Sequence, residues 1–82
     1  MKHKYVRLKD YNVFIFFPEI IEHSTFRHLN PVSAGFCYFD SEKEKVNCFG
    51  KSISLGIDSK PDDTDFATKQ FYGIDAYLKL WQ

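Results

Sequence analysis

A chain of 82 residues is one domain, and its 11 basic and 11 acidic side chains cancel to zero net charge, with aromatic rings at 18% of positions. That balance excludes a body built to coat nucleic acid, and equally a strongly acidic mimic of DNA. Two cysteines exclude a disulfide framework, and the longest early apolar run, Val13 to Phe17, is too short for a secretory leader or a membrane span, so a reducing cytoplasm with free thiols is the expected setting.

The charge is uneven along the chain. Lys2, Lys4, Arg7 and Lys9 stand in the first nine residues with no acid among them, and the remainder is mildly acidic. Tyr5, Val6 and Leu8, interleaved with these basic residues, predict a short first strand. Its lysines suit an edge, where they discourage unwanted pairing. Lys9 to Asn12 reads as a turn, because Asp and Asn tolerate turn geometry. Val13 to Phe17 is β-branched and aromatic, short, and stopped by Pro18, which predicts a buried strand and an N-terminal hairpin.

Glu19 to Leu29 is the first helical candidate, firm from about Ser24, with Ser24 as N-cap. Asn30-Pro31 breaks it. Val32 to Ile57 is the stretch the rest packs against. With Ser41 to Glu44 as the loop and Asp40 opposite Lys45, Phe39 faces Val46, Tyr38 faces Asn47, Cys37 faces Cys48 and Phe36 faces Phe49. One face then carries Cys37, Phe39, Val46 and Cys48, and the other Phe36, Tyr38 and Phe49; a one-residue slip would exchange them.

Gly50 marks a bulge or bend. Beyond it Ser52, Ser54, Gly56 and Asp58 alternate with Ile53, Leu55 and Ile57, the pattern of a half-buried strand with its small polar side outward. Ser59 to Asp65 predicts a helix start, with proline tolerated in the first turn and acids placed at the positive end of the helix dipole. Phe66, Ala67, Gln70 and Phe71 supply an apolar stripe, and Gly73 ends the helix. Ile74 to Gln82, with Tyr77, Leu80 and Trp81, has no clear period and reads as a strand, a helical turn or a docking arm.

At Val32-Ser33-Ala34-Gly35-Phe36, at Cys48 to Gly56 and at Ser59-Lys60-Pro61-Asp62-Asp63, the chain resembles a group of small uncharacterised phage and prophage proteins, over about residues 14 to 71. The resemblance implies a phage-type accessory protein and brings no catalytic residue. Small phage proteins of this kind often act by binding and blocking a host protein, anti-CRISPR proteins among them.

No set of side chains has the spacing of a working site. Cys37 and Cys48 with His23 or His28 lack the close ligand pair of a zinc site, so they read as buried thiols. Asp58, Asp62, Asp63 and Asp65 lack the pattern of a calcium loop. No base–nucleophile or carboxylate pair marks an enzyme. No cofactor is expected.

The fold expected is α+β: an antiparallel sheet of four or five strands with two short helices packed on one face, in the order ββ-α-βββ-α. The function expected is protein–protein recognition, with a host or phage protein, or a second copy of the chain, as partner. Its candidate residues are Ser52, Ser54, Gly56 and Asp58, as a shallow polar groove, with Tyr77 and Trp81 as aromatic anchors. The alternative is a small nucleic-acid-binding accessory protein using Lys2, Lys4, Arg7 and Lys9.

Overall fold

Two layers of side chains sandwich one sheet, and its four long strands come in the spatial order β2-β1-β3-β4, all antiparallel. These are β1 (Lys2–Leu8), β2 (Phe14–Pro18), β3 (Pro31–Asp40) and β4 (Lys45–Phe49). A separate two-stranded ribbon joins β5 (Lys51–Ser52) to β6 (Ile57–Asp58), and the chain ends in α1 (Asp63–Tyr72) and α2 (Ile74–Lys79). The computed structural model describes residues 2–80. The α+β class and the antiparallel sheet agree with the reading of the sequence.

The central hairpin has the predicted register: Asp40 pairs with Lys45, Phe39 with Val46, Tyr38 with Asn47, Cys37 with Cys48 and Phe36 with Phe49. The N-terminal hairpin also forms, with Arg7 opposite Phe14 and Lys4 opposite Phe17. Its first strand is not an edge, however. β1 lies between β2 and β3, because long β3 offers it a partner from Lys2 to Leu8.

Strand alternation gives the sheet two buried faces. On one, Tyr5, Phe14, Cys37 and Val46 pack under Ala67 of α1, with Phe16, Phe39 and Phe66 around them. On the other, Val6, Phe17 and Ala34 pack against Phe26, Leu55 and Ile57. The two predicted helical segments therefore lie on opposite faces. The first is a 3₁₀ segment, His23–Leu29, preceded by extended Glu22 and lacking the side-chain cap expected of Ser24. It stops where Asn30 turns left-handed, one residue before Pro31 opens β3.

Residues 51–58 depart most from expectation. The serine alternation belongs to no continuous strand. Gly50 and Gly56 both take positive φ, and the chain doubles back between them. Ser52 is buried, with its hydroxyl oxygen accepting the Leu55 N–H, while Ile53 is 87% exposed. The small polar side thus turns inward at Ser52, since a serine hydroxyl can replace a backbone partner inside a tight turn.

α1 reaches both rims of the sheet. The Val46 and Cys48 N–H groups, which face away from β3, donate to Thr68 and Thr64 Oγ1 at 2.9 Å each. Across the sheet the Gln70 amide makes the two bonds a neighbouring strand would make to Phe14, accepting its N–H at 2.7 Å and donating to its C=O at 2.8 Å. Gln70, read from sequence as part of an apolar stripe, is a polar clamp. Replacing Gln70 with alanine leaves a half-buried strand pair of groups without protein partners, a cost of about 1–3 kcal/mol. Hydrogen exchange at the Phe14 amide is expected to accelerate by a factor of ten or more; unchanged protection would exclude the clamp.

Gly73 ends α1 as predicted, and the tail resolves into α2, with Ala76 buried beneath it.

Candidate functional site

Arg7 and the acids ahead of α1 do not form a surface site. Asp63 is fully buried and gathers partners from distant parts of the chain. The Tyr5 hydroxyl and the Ser33 hydroxyl donate to it, Arg7 Nη1 reaches it at 2.8 Å, and the Lys60 N–H donates to it at 2.8 Å. Arg7 also bonds Asp62 at 2.8 Å and Asn12 Oδ1 through Nε and Nη2, and its guanidinium lies near the rings of Phe14 and Phe66. Every polar buried side-chain atom among the described residues has a partner. Burial opposes the Arg7 charge, but its bonds to the two aspartates outweigh this and raise its pKa. Burial and the Asp63 carboxylate push the Tyr5 hydroxyl far up, so it stays a donor. The Arg7 hydrogen bond holds Asp62 below the usual carboxylate range. This is a structural lock, and it corrects two expectations. Arg7 is unavailable to phosphates, and Asp63 is a buried hub rather than only a helix-dipole acid.

The basic segment is also divided by strand alternation. Lys2 and Lys4 project from the face opposite Arg7, and Lys9 lies beyond β1, so the four do not make one patch. Lys2 and Lys4 instead enter a groove of about 480 Å³, whose lining includes Phe36, Phe49, Lys51 and Ile53. This is the face the sequence assigned to Phe36, Tyr38 and Phe49. Near the hairpin end it is not covered: Tyr38 is 45% and Phe49 39% exposed.

The rings there are ordered against one another. Tyr38 and Phe49 stack at 5.4 Å with 15° between planes, and Phe36 and Phe49 lie 6.1 Å apart at 28°. The Lys2 ammonium sits over the Phe36 ring at 4.7 Å. The rings are therefore engaged with one another and with Lys2. His23 packs perpendicular to the Phe36 ring and hydrogen-bonds the Gly35 carbonyl through Nε2 at 2.8 Å. Gly35 is required there: a Cβ would stand 2.4 Å from the Phe49 carbonyl oxygen.

Burial, with a smaller contribution from Lys4, holds the His23 pKa below its ordinary value, so the ring is neutral at pH 7. The unfolded chain takes up that proton first, near pH 6.5. Stability from this site is complete above pH 6.5 and falls as the pH drops through the folded-state pKa. Urea titrations at pH 7 and pH 5 are expected to show this loss, and a His23→Gln variant should lose less; equal losses would remove His23 as the cause.

Of the residues singled out from sequence, Ser54 lines the groove, Ser52 is buried beneath it, and Asp58 is the cross-strand neighbour of Lys51. Gly56 is the turn that joins β5 to β6. Tyr77 lies apart on α2, against Lys69. Trp81 lies outside the described residues. Phe36, Phe49, Lys51 and Ile53 were missed as one surface; the paired Phe36 and Phe49 were the available signal. A second exposed apolar row, Phe71, Ile74 and Leu78, runs along α1 and α2.

The cysteines are free, and Cys37 is buried, which pushes its thiol up to about 12. They lie on the α1 face, whereas His23 packs on the opposite one against Phe17 and Phe36. Among the described residues no group of three or more metal-ligating side chains converges, and no helix is long and apolar enough to cross a membrane. No family model, curated protein or solved structure matches this chain.

Proposed function

We propose that the chain is a non-enzymatic recognition protein that binds another protein through the groove between β1, the β3–β4 hairpin and the β5–β6 ribbon. The observation that carries this reading is the row of Tyr38, Phe49 and Ile53, three large apolar side chains exposed beside one another and edged by lysines. Apolar patches with a polar rim are the usual form of a protein contact surface, and aromatic residues dominate the binding energy of such contacts.

The phage resemblance gives this reading its sharpest form: an accessory protein that acts in the host cytoplasm by occupying a host or defence factor. Nucleic-acid binding is less well supported. Bases stack on free ring faces, and here Phe36 already has Lys2 over it and Phe49 beside it, with Phe49 stacked on Tyr38 as well. Arg7, moreover, is committed to Asp62 and Asp63.

Affinity capture from host lysate, with nuclease added, tests the proposal. The wild-type chain is expected to retain a protein in stoichiometric amount; Ile53→Glu should lose it and Tyr11→Ser should not. Retention of nucleic acid alone, or capture indifferent to Ile53→Glu, would overturn it.

A further inference from the structure

The geometry points to an acidic peptide segment carrying an aliphatic or aromatic anchor as the occupant of this groove, an inference that rests on the recognition reading above. Three features converge on it.

First, the sheet edges are interrupted, which favours side-chain recognition over strand addition. Strand addition needs a row of free N–H and C=O groups along a sheet edge. Along β4 the outward amides of Val46 and Cys48 are held by threonines of α1, and along β2 both groups of Phe14 are held by Gln70, with Pro18 at the strand end lacking an N–H. Neither edge keeps an unbroken row, whereas the sheet face is exposed at Tyr38 and Phe49.

Second, the groove is electropositive by construction. An aromatic ring is negative on its faces and positive at its edge. Phe36, with Lys2 over its ring and Phe49 stacked beside it, has its negative face occupied by a cation. Lys2, Lys4 and Lys51 line the same space against one carboxylate, Glu22. Glu19 ion-pairs Lys2 at 3.2 Å and Asp58 lies across the ribbon from Lys51 beyond ion-pair distance, so the groove's positive charge rests on Lys4 and Lys51. Lys4 spends one N–H on the Ile21 carbonyl and keeps others. His23 is neutral and hydrogen-bonded to Gly35, so it offers no competing charge.

Third, the lip is apolar. Ile53 stands almost wholly in solvent on the turn between the two glycines, next to Phe49. A side chain laid between them would be shielded while its acidic neighbours meet the lysines. Carboxylates flanking one apolar residue fit this arrangement; a basic or purely polar segment does not.

Panning a random twelve-residue peptide display library on immobilised wild-type protein, in 50 mM and 500 mM salt, tests the assignment. Enriched peptides are expected to carry Asp or Glu beside a Leu, Ile, Phe or Trp, with enrichment falling at least tenfold at high salt. Lys51→Glu should abolish the acidic bias, while Lys43→Glu, on the far hairpin loop, should preserve it; circular dichroism verifies that each variant is folded. If neutral or basic peptides are enriched instead and are lost in Phe49→Ser, the groove binds protein but the acidic assignment is overturned. If nothing is enriched, or enrichment survives both Lys51→Glu and Phe49→Ser, the groove reading and the assignment fall together.

Discussion

Asp63→Ala is expected to destabilise the protein by about 3–5 kcal/mol, the cost of removing one partner of a buried ion pair. A domain of this size has total stability of only about 4–12 kcal/mol, so the variant gives up a large share of it and will melt well below wild type. The size of the effect follows from what is left behind. Arg7 retains Asp62 and Asn12 at its outer side but faces an empty carboxylate position inside, and the buried hydroxyls of Tyr5 and Ser33 and the Lys60 N–H lose their acceptor together. Asp63→Asn keeps the shape and part of the hydrogen bonding and should cost visibly less. Urea unfolding followed by circular dichroism measures both. An Asp63→Ala midpoint within error of wild type would show that the network does not hold α1 to the sheet. Because the ion pair is buried, moderate salt should leave the difference nearly unchanged.

The second large effect is expected at Gly35. Alanine there places a methyl group against backbone on the neighbouring chain segment, at a distance no real Cβ contact shows, so β3 and the Phe49–Gly50 bend must separate. Overpacking of a tight core costs about 1–3 kcal/mol, and a backbone shift adds to that, so a loss of about 3 kcal/mol or more is expected. The displacement also moves Phe49 and weakens the His23 bond to the Gly35 carbonyl. Gly35→Ala should therefore shift the Phe49 ring resonances by NMR and lower groove affinity beyond what stability alone predicts. A variant with wild-type melting temperature and an unmoved Phe49 would show that the close approach is not rigid.

What the sequence revealed, and what it hid, divides by the range of the interaction. The β3–β4 register was legible because a charged loop, Ser41 to Glu44, sits between an acid and a base that pair across it, and every later pair follows from that one. The turn at Lys9 to Asn12 and the stop at Gly73 were legible for the same local reason. The hub at Asp63 was not. Its side-chain partners Tyr5, Arg7 and Ser33 lie 58, 56 and 30 positions away, and locally the acid is indistinguishable from one that merely favours a helix start. The groove was half legible. Its rings were paired correctly, but two of its three lysines, Lys2 and Lys4, come from β1, which reaches β3 only through nonlocal pairing. Residues 51–58 misled because alternating serines fit two structures, an outward strand face and a tight turn, and only the positive φ of Gly50 and Gly56 separates them.

The threonine and glutamine bonds from α1 have a consequence for biosynthesis. The strands precede α1 in the chain, so during vectorial emergence from the ribosome a nascent sheet stands with both flanks unpaired until residues 63–72 arrive. Such an interval is when chains associate with one another through strand–strand contacts. Late arrival of a single helix thus converts a self-adhesive intermediate into a discrete particle, and truncation before Asp63 should yield inclusion bodies rather than a smaller folded domain.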